Sequence, residues 1–342
     1  MITKTNRFPA EWERHGAVML SWPHSLTDWN YMLEEVRACY CEVIRAIIAA
    51  GEVVILIGPE SELADEKFPE GVYKVYVATN DTWIRDYGPL TLSTPDGFRL
   101  LDFRFNGWGL KFAANFDNQV NRNLGKLWVY SQMPISCKDL VFEGGSIESD
   151  GSGTLLTTEY CLMAPNRNEP MTRGQVESVL LQRLHGRKLL WITNGGLAGD
   201  DTDGHVDTLC RLAPGNSLVY VGCQDPDDEH FESLQAMAAE LREFTNADGD
   251  PFNLIELPLP DPIYDAEGQR LPATYANYLV LERAVLLPVY NQPMKDKLAA
   301  EMLRIVFPDR EIVSIDCRAL IQQHGSLHCA TMQIPSSVIS FL

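Results

Sequence analysis

Residues 31–57 read YMLEEVRACYCEVIRAIIAAGEVVILI. Leu33, Val36, Tyr40, Val43 and Ile47 recur at alternating spacings of three and four, the period of one buried helix face. Gly51 closes that helix as a left-handed cap, and 53–57 follows at once as a β-rich run. The same passage from helix to strand recurs along the chain. Helical periodicity marks 31–50, 116–130, 172–184, 229–244 and 294–306; Thr172 and Gln175 have capping-box spacing, Gly186 ends the third helix, and Pro293 opens the fifth. Strand patterns mark 53–57, 72–77, 100–105, 154–158, 188–192, 206–212, 218–221, 253–257, 278–281, 285–287 and 312–315. The repeating unit is strand, strand, helix, strand, five times over, at roughly 65–70 residues each. Periodicity alone leaves a doubly wound α/β sheet as the alternative. The glycine fingerprint of dinucleotide binding is missing after the first strand, where the chain reads IGPE. Five units without a linker or composition break predict a closed ring, one domain over residues 1–342.

Composition sets the class. The 342 residues are 45% hydrophobic and 22% charged, which suits a globular enzyme. A net charge of −19 opposes nucleic acid and anionic membranes and favours a cationic small substrate. The N-terminal stretch MITKTNRFPAEWERHG has no apolar core of a signal peptide, so a cytoplasmic location is expected. Eight cysteines stand without a C-x-x-C pair, which supports neither a zinc ribbon nor a redox motif. Cys329, within HGSLHCATMQ, differs from the rest in its polar, small neighbours.

The polar segments keep one phase of the repeat. NDTWIRDYGP at 80–89 carries Trp83, Arg85 and Asp86; FEGGS at 142–146 carries Glu143; GDDTDGHVDT at 199–208 carries His205 and Asp207. The intervals are 57 from Asp86 to Glu143, 62 from Glu143 to His205, and 124, twice 62, from His205 to Cys329. In a ring of repeats, a constant phase means one place near the axis. His205 and Asp207, two apart at the start of an expected strand, would point to one face, as proton transfer beside a charge requires. Arg85 is expected to form a salt bridge that fixes the Asp86 loop. The acids 200, 201 and 203 miss the EF-hand spacing, so no metal is expected.

The ordered set NDTWIRDYGP, FNGWG (105–109), EGGSI, LTTEYCLMAPNRN (156–168), TDGHVDT and LHCATMQ resembles the agmatine deiminase family, grouped with Porphyromonas-type peptidylarginine deiminase in the guanidino-group-modifying superfamily. The resemblance implies the pentein fold, a five-bladed α/β propeller. It places the nucleophile on Cys329, the general acid/base on His205, guanidinium-binding carboxylates on Asp86 and Asp207, and a His-supporting carboxylate on Glu143. The implied activity is hydrolysis of agmatine to N-carbamoylputrescine and ammonia through a covalent Cys intermediate. Departures from the family pattern fall at Gly199, Asp203, Thr208, His324 and Ser326, beside these residues, and leave peptidylarginine or free arginine as alternative substrates.

The chemistry asks for the same residue types. A guanidinium is a planar cation whose N–H forks match carboxylates in its plane, leaving the central carbon open to a thiolate. Neither metal nor organic cofactor is required. Trp83 or Trp108 would stack on the substrate, and Asp201 with its neighbours Asp200 and Asp203 would receive agmatine's distal ammonium. A cysteine-dependent amide hydrolase would want oxyanion donors rather than carboxylates, and a non-catalytic propeller acting as a binding module would not need these residues in phase. The expected partners are a small cationic guanidine and, at most, a second copy of the chain as a homodimer, with neither nucleic acid nor membrane.

Overall fold

The computed structural model describes residues 5–342; residues 1–4, part of the N-terminal stretch read for targeting, lie outside the described residues. Five small mixed sheets carry the described residues. The first contains β1 (Gly16–Ser21), β2 (Val53–Gly58) and β3 (Val72–Tyr76), all parallel. The second pairs β4 (Leu90–Thr94), β5 (Gly97–Arg104) and β6 (Ile135–Val141). The third pairs β7 (Glu148–Ser149), β8 (Thr154–Thr158) and β9 (Lys188–Ile192); the fourth, β10 (Cys210–Ala213), β11 (Ser217–Gly222) and β12 (Asn253–Pro258). The fifth pairs β13 (Leu279–Val280), β14 (Ala284–Val289) and β15 (Glu311–Asp316). The second to fifth sheets share one pattern, an antiparallel hairpin followed by a helix crossing to a parallel strand. The last strand, β16 (Thr331–Pro335), returns to the first sheet antiparallel to β1, pairing Thr331 with Leu20. Chain end and chain start are thereby stitched together immediately after Cys329.

The crossing helices form where apolar periodicity predicts. Leu33–Ala49 buries Val36, Tyr40, Val43, Ile44 and Ile47, and Gly51 takes φ +90° just beyond it. Arg173–Leu184 opens on the Thr172/Gln175 capping box, but His185, not Gly186, adopts the left-handed cap. Gly186 answers a different need, since a Cβ there would lie 2.7 Å from Leu155 Cδ1. Phe231–Glu243 and Pro293–Val306 match their predicted spans to within two residues. The helix expected over 116–130 is shorter, with a 3-10 turn Asp117–Gln119 and a helix Val120–Lys126. Buried Asp117 accepts the Asn80 backbone N–H at 2.7 Å, and Trp128 turns to φ 57°, so side-chain and loop geometry override the period at both ends.

The expected strand 206–212 begins only at Cys210. His205–Asp207 instead enters a 3-10 turn, Val206–Thr208. Asp200 accepts from the N–H groups of Thr202 (3.0 Å) and Gly204 (2.5 Å), Thr202 Oγ1 accepts from His205 N–H, and Thr208 Oγ1 donates to the His205 carbonyl. Local side chains thus take the backbone partners a ladder would need. Two apolar clusters support these segments. The larger includes Leu20, Ile55, Leu286 and Leu327; a second gathers Leu156, Val206, Leu218 and Met237 around the third and fourth sheets.

Candidate active site

Glycines bring the predicted residues together. Glu143 leads into the 3-10 turn Gly144–Ser146, which packs against the short helix Ile84–Tyr87 carrying Asp86. A Cβ on Gly144 would strike the Arg85 carbonyl at 2.1 Å. One on Gly145 would lie 2.6 Å from His205 Nδ1, 2.8 Å from Asp86 Oδ1 and 3.1 Å from Asp207 Oδ2. Gly145 is therefore the bare floor of a cradle whose walls are His205, Asp86 and Asp207. Cys329 joins it with Sγ 3.8 Å from Asp207 Oδ2. Asp86, Glu143, His205, Asp207 and Cys329 are all buried.

Each polar group is held by specific partners. Asp86 accepts the Gly145 N–H at 3.0 Å on Oδ1 and the Trp108 indole N–H at 2.9 Å on Oδ2. Glu143 Oε2 lies 2.7 Å from His205 Nε2, while Arg167 forks both Glu143 oxygens at 3.0 Å and reaches Asp203 at 2.5 Å. Asp207 Oδ2 lies 2.7 Å from His328 Nδ1, whose Nε2 is 2.8 Å from Glu11 Oε2. Two buried side-chain atoms of the residues that wall the cradle lack a hydrogen-bond partner, His205 Nδ1 and Asp207 Oδ1. Unpaired buried polar atoms are costly, and here they form one potential donor and one acceptor waiting for a ligand.

Burial and charge set the protonation pattern. Burial pushes the Asp86 carboxyl up to about 6 against the charge of His205, with Asp207 and Glu143 adding to the rise. For Asp207, burial works upward, yet its bond to His328 and the neighbouring cations hold it below the usual carboxylate value. Glu143 is likewise lowered, burial being outweighed by His205 and Arg167. His205 is raised well above an ordinary imidazole: burial opposes this, but Asp86, Cys161 and Glu143 prevail. The Cys329 thiol is raised well above its usual value by burial and by Asp207 and Asp86, with the Ser326 backbone and His205 countering. These directions favour an imidazolium at His205 beside a neutral thiol at Cys329.

A cavity of about 380 Å³ opens onto Cys329 and Asp86, walled by Trp83, Trp108, Phe112 and Gly325. Trp83 packs 5.7 Å from Trp29, and a Cβ on Gly325 would touch its ring at 2.5 Å. Trp108 uses its N–H on Asp86, so its clear role is to hold that carboxylate. The outer acids differ from expectation. Asp201 does line the cavity, joined by Asp28 and Asp81. Asp203 pairs with Arg167 and Lys111, and Asp200 is turned onto its own loop. Burial raises Asp81 to about 7, against the Thr82 N–H, and Asp201 to about 6, against His324.

A larger void of about 730 Å³ is lined by Phe8, Glu11, Arg85, Glu148, His328 and Met332. Consecutive residues divide between the two spaces, Arg85 from Asp86 and His328 from Cys329. The salt bridge expected of Arg85 does not form among the described residues; it donates to Gln333 Oε1 and, at 3.4 Å, to the His328 carbonyl. Two acid-rich groups have metal-ligand proximity, Glu143/Cys161/His205 and Glu11/Glu148/His328. In each a guanidinium already supplies the positive charge, Arg167 in the first and Arg211 in the second, the latter donating to Glu148 at 2.5 Å and to Glu11.

Several participants escaped sequence reasoning. Arg167 and Asp81 lay inside quoted motifs without a role, and Glu11 and Asp28 sit in ordinary polar contexts. Asn277, whose amide touches Cys329 Sγ at 3.3 Å, carried one signal: an amide inside the apolar run TYANYLVL, where strand-forming residues are expected.

Comparison with known proteins gives the family of the chain. An agmatine deiminase of Pseudomonas aeruginosa (strain LESB58) is 31% identical over 355 residues, covering 96% of this chain and 95% of the relative. A crystal structure from Porphyromonas gingivalis, provisionally named an arginine deiminase, superposes with TM-score 0.92 at 43% identity, covering 98% of this chain and all of that one. A serine-for-cysteine variant of C. jejuni agmatine deiminase with substrate bound superposes at 0.89 with 35% identity over 96% of each chain. Residues 7–335 match the family described as Porphyromonas-type peptidyl-arginine deiminase, and the chain belongs to that family.

Proposed function

We propose that this protein is an agmatine deiminase. The observation that carries the reading is the cradle over Gly145, where Asp86 and the unpartnered Asp207 Oδ1 can take the N–H forks of a guanidinium beside Cys329. Two carboxylates suit a planar cation and would repel the developing oxyanion of an amide. In this mechanism Cys329 gives up its thiol proton to solvent as the cation binds, and Sγ then attacks the central carbon and forms the C–S bond. His205 gives its proton to the departing nitrogen, which leaves as ammonia. Water then adds to the thiouronium, His205 takes a proton from it, and the C–S bond breaks to release the ureide. Glu143 keeps His205 charged and oriented. The cationic substrate offsets the carboxylates that raise the thiol, so its arrival favours the thiolate.

Agmatine fits the outer cavity better than arginine. Its distal ammonium would meet Asp28, Asp81 and Asp201, whereas an α-carboxylate would need a free cation. Lys111, beside this loop, is engaged by Asp203 at 2.7 Å and the Asp201 carbonyl at 2.6 Å. The five sheets, closed by β16 on β1, support the reading of one five-bladed propeller forming a single domain. Eight free thiols suit a reducing cytoplasm.

The test is a side-by-side assay on agmatine, free arginine and a C-terminal arginine peptide, using protein treated with chelator. Agmatine should lead free arginine by about a hundredfold in kcat/KM, as two or three partly exposed acids at ~1 kcal/mol each allow once carboxylate repulsion is added. Equal rates with either arginine form would overturn the substrate, and activity restored only by added zinc would overturn the mechanism.

A further inference from the structure

Asn277 is fully buried just before β13, and the orientation of its amide follows from its neighbours. Oδ1 faces the backbone N–H groups of His328 at 2.9 Å and Cys329 at 3.3 Å. Only a carbonyl oxygen can accept from both; an NH₂ group in that place would leave four buried donor hydrogens facing one another. The NH₂ end therefore points the other way, where Nδ2 lies 3.3 Å from Cys329 Sγ and 3.3 Å from the Asp207 carbonyl. One hydrogen serves that carbonyl and the second is available to the sulfur.

We propose that Asn277 is a further catalytic residue, whose side-chain N–H donates to Cys329 Sγ and stabilises the thiolate. The inference rests on Cys329 being the nucleophile. Its physical logic lies in what surrounds the sulfur. The thiol form has acceptors available at Asn277 Oδ1, 3.4 Å away, and Asp207 Oδ2, 3.8 Å away. A thiolate instead needs donors, in a buried place shared with two carboxylates. A lysine or arginine would stabilise it but would also repel a guanidinium. A carboxamide stabilises the anion without adding charge, and its other atoms tie the nucleophile's backbone to that of Asp207. One side chain thereby sets the distance between the attacking sulfur and the cation clamp.

Asn277→Asp keeps an oxygen for the two backbone N–H groups and removes the donor at sulfur but adds a negative charge, so Asn277→Leu, of similar size, is measured beside it to remove the donor without adding one. The readout is alkylation of Cys329 by chloroacetamidine across pH, followed by mass. In this step the S–C bond forms, chloride leaves and the thiol proton passes to buffer. In both folded variants the rate near neutral pH should fall at least about tenfold, with the midpoint rising by about one unit or more. A wild-type midpoint in Asn277→Leu overturns the proposal. Should the variant fail to fold, wild-type protein labelled with ¹⁵N at asparagine decides: the Asn277 side-chain resonance should move with the alkylation midpoint, and a resonance that stays still overturns it. If wild-type Cys329 reacts no faster with chloroacetamidine than with iodoacetamide, the nucleophile assignment itself has failed.

Discussion

His205 Nε2 lies 2.7 Å from Glu143 Oε2, while its Nδ1 is buried 3.5 Å from Asp86 Oδ1 with no hydrogen-bond partner. One ring nitrogen is thus committed to holding the proton and the other is free to spend it on substrate. His205→Ala should leave at most a covalent adduct on Cys329, with turnover reduced by roughly 10²–10⁴, and Cys329→Ser should leave neither adduct nor turnover. Intact-protein mass after mixing with substrate distinguishes them; full turnover in either variant would remove the assignment.

The carboxylates predict how activity and stability respond to pH. Asp86 and Asp201 titrate at about 6 and Asp81 at about 7, and only their ionised forms hold a cation. The kcat/KM for agmatine should therefore fall as pH drops through 7 to 6. Asp207 and Glu143 are lowered, so the stability they contribute is present above the unfolded carboxylate values and is lost only as pH falls through their depressed folded values. His205 is raised, so its contribution is complete below the unfolded imidazole value and fades as pH rises through the folded one. Circular dichroism should show an intact fold at pH 6 where kcat/KM has already dropped. Coincident losses would contradict this order.

Trp108 donates to Asp86 and so favours its ionised form. Trp108→Phe keeps the ring but removes a hydrogen bond to a charged group, worth about 1.5–3 kcal/mol. A fall in kcat/KM of roughly ten- to a hundredfold should accompany an acid limb moved to higher pH. Unchanged pH dependence would show that the indole serves packing alone.

Gly145→Ala tests the cradle. Its new methyl would sit 2.6 Å from His205 Nδ1 and 2.8 Å from Asp86 Oδ1, in the space assigned to the guanidinium. Agmatine turnover should be lost while the thermal transition falls by only a few degrees, the effect of about 1 kcal/mol in a chain of this size. Normal KM in this variant would place the substrate elsewhere.

Asp201→Asn should lower the ratio of agmatine to arginine chiefly through KM, because an ammonium contact made equally in ground and transition states does not change kcat. Asp203→Asn should leave that ratio intact and lower stability, since Asp203 is bound to Arg167 and Lys111. Opposite results would restore the rim expected from the acids at 200–203.

Local sequence determined what depends on near neighbours and chemical type. The face of Leu33–Ala49 follows from spacing alone, the Thr172/Gln175 box from two residues three apart, and the five-unit rhythm from their recurrence. Cys329, Asp86, Glu143, His205 and Asp207 were legible because motif order and chemistry marked the same residues. The short strands β1, β4, β6, β7 and β16 were not, since two to seven residues form a strand only when a partner supplies the other half of the ladder. Local bonds from Asp200 and Thr202 turned the segment that a strand reading expected to be extended, and tertiary structure then brought Glu143 to His205 and His328 to Asp207. It also brought Glu11 to His328 and Asn277 to Cys329 across 317 and 52 residues. Such contacts leave no periodic trace: they are made by single side chains, and burial and charge at the site exist only once the sheets that carry them have folded.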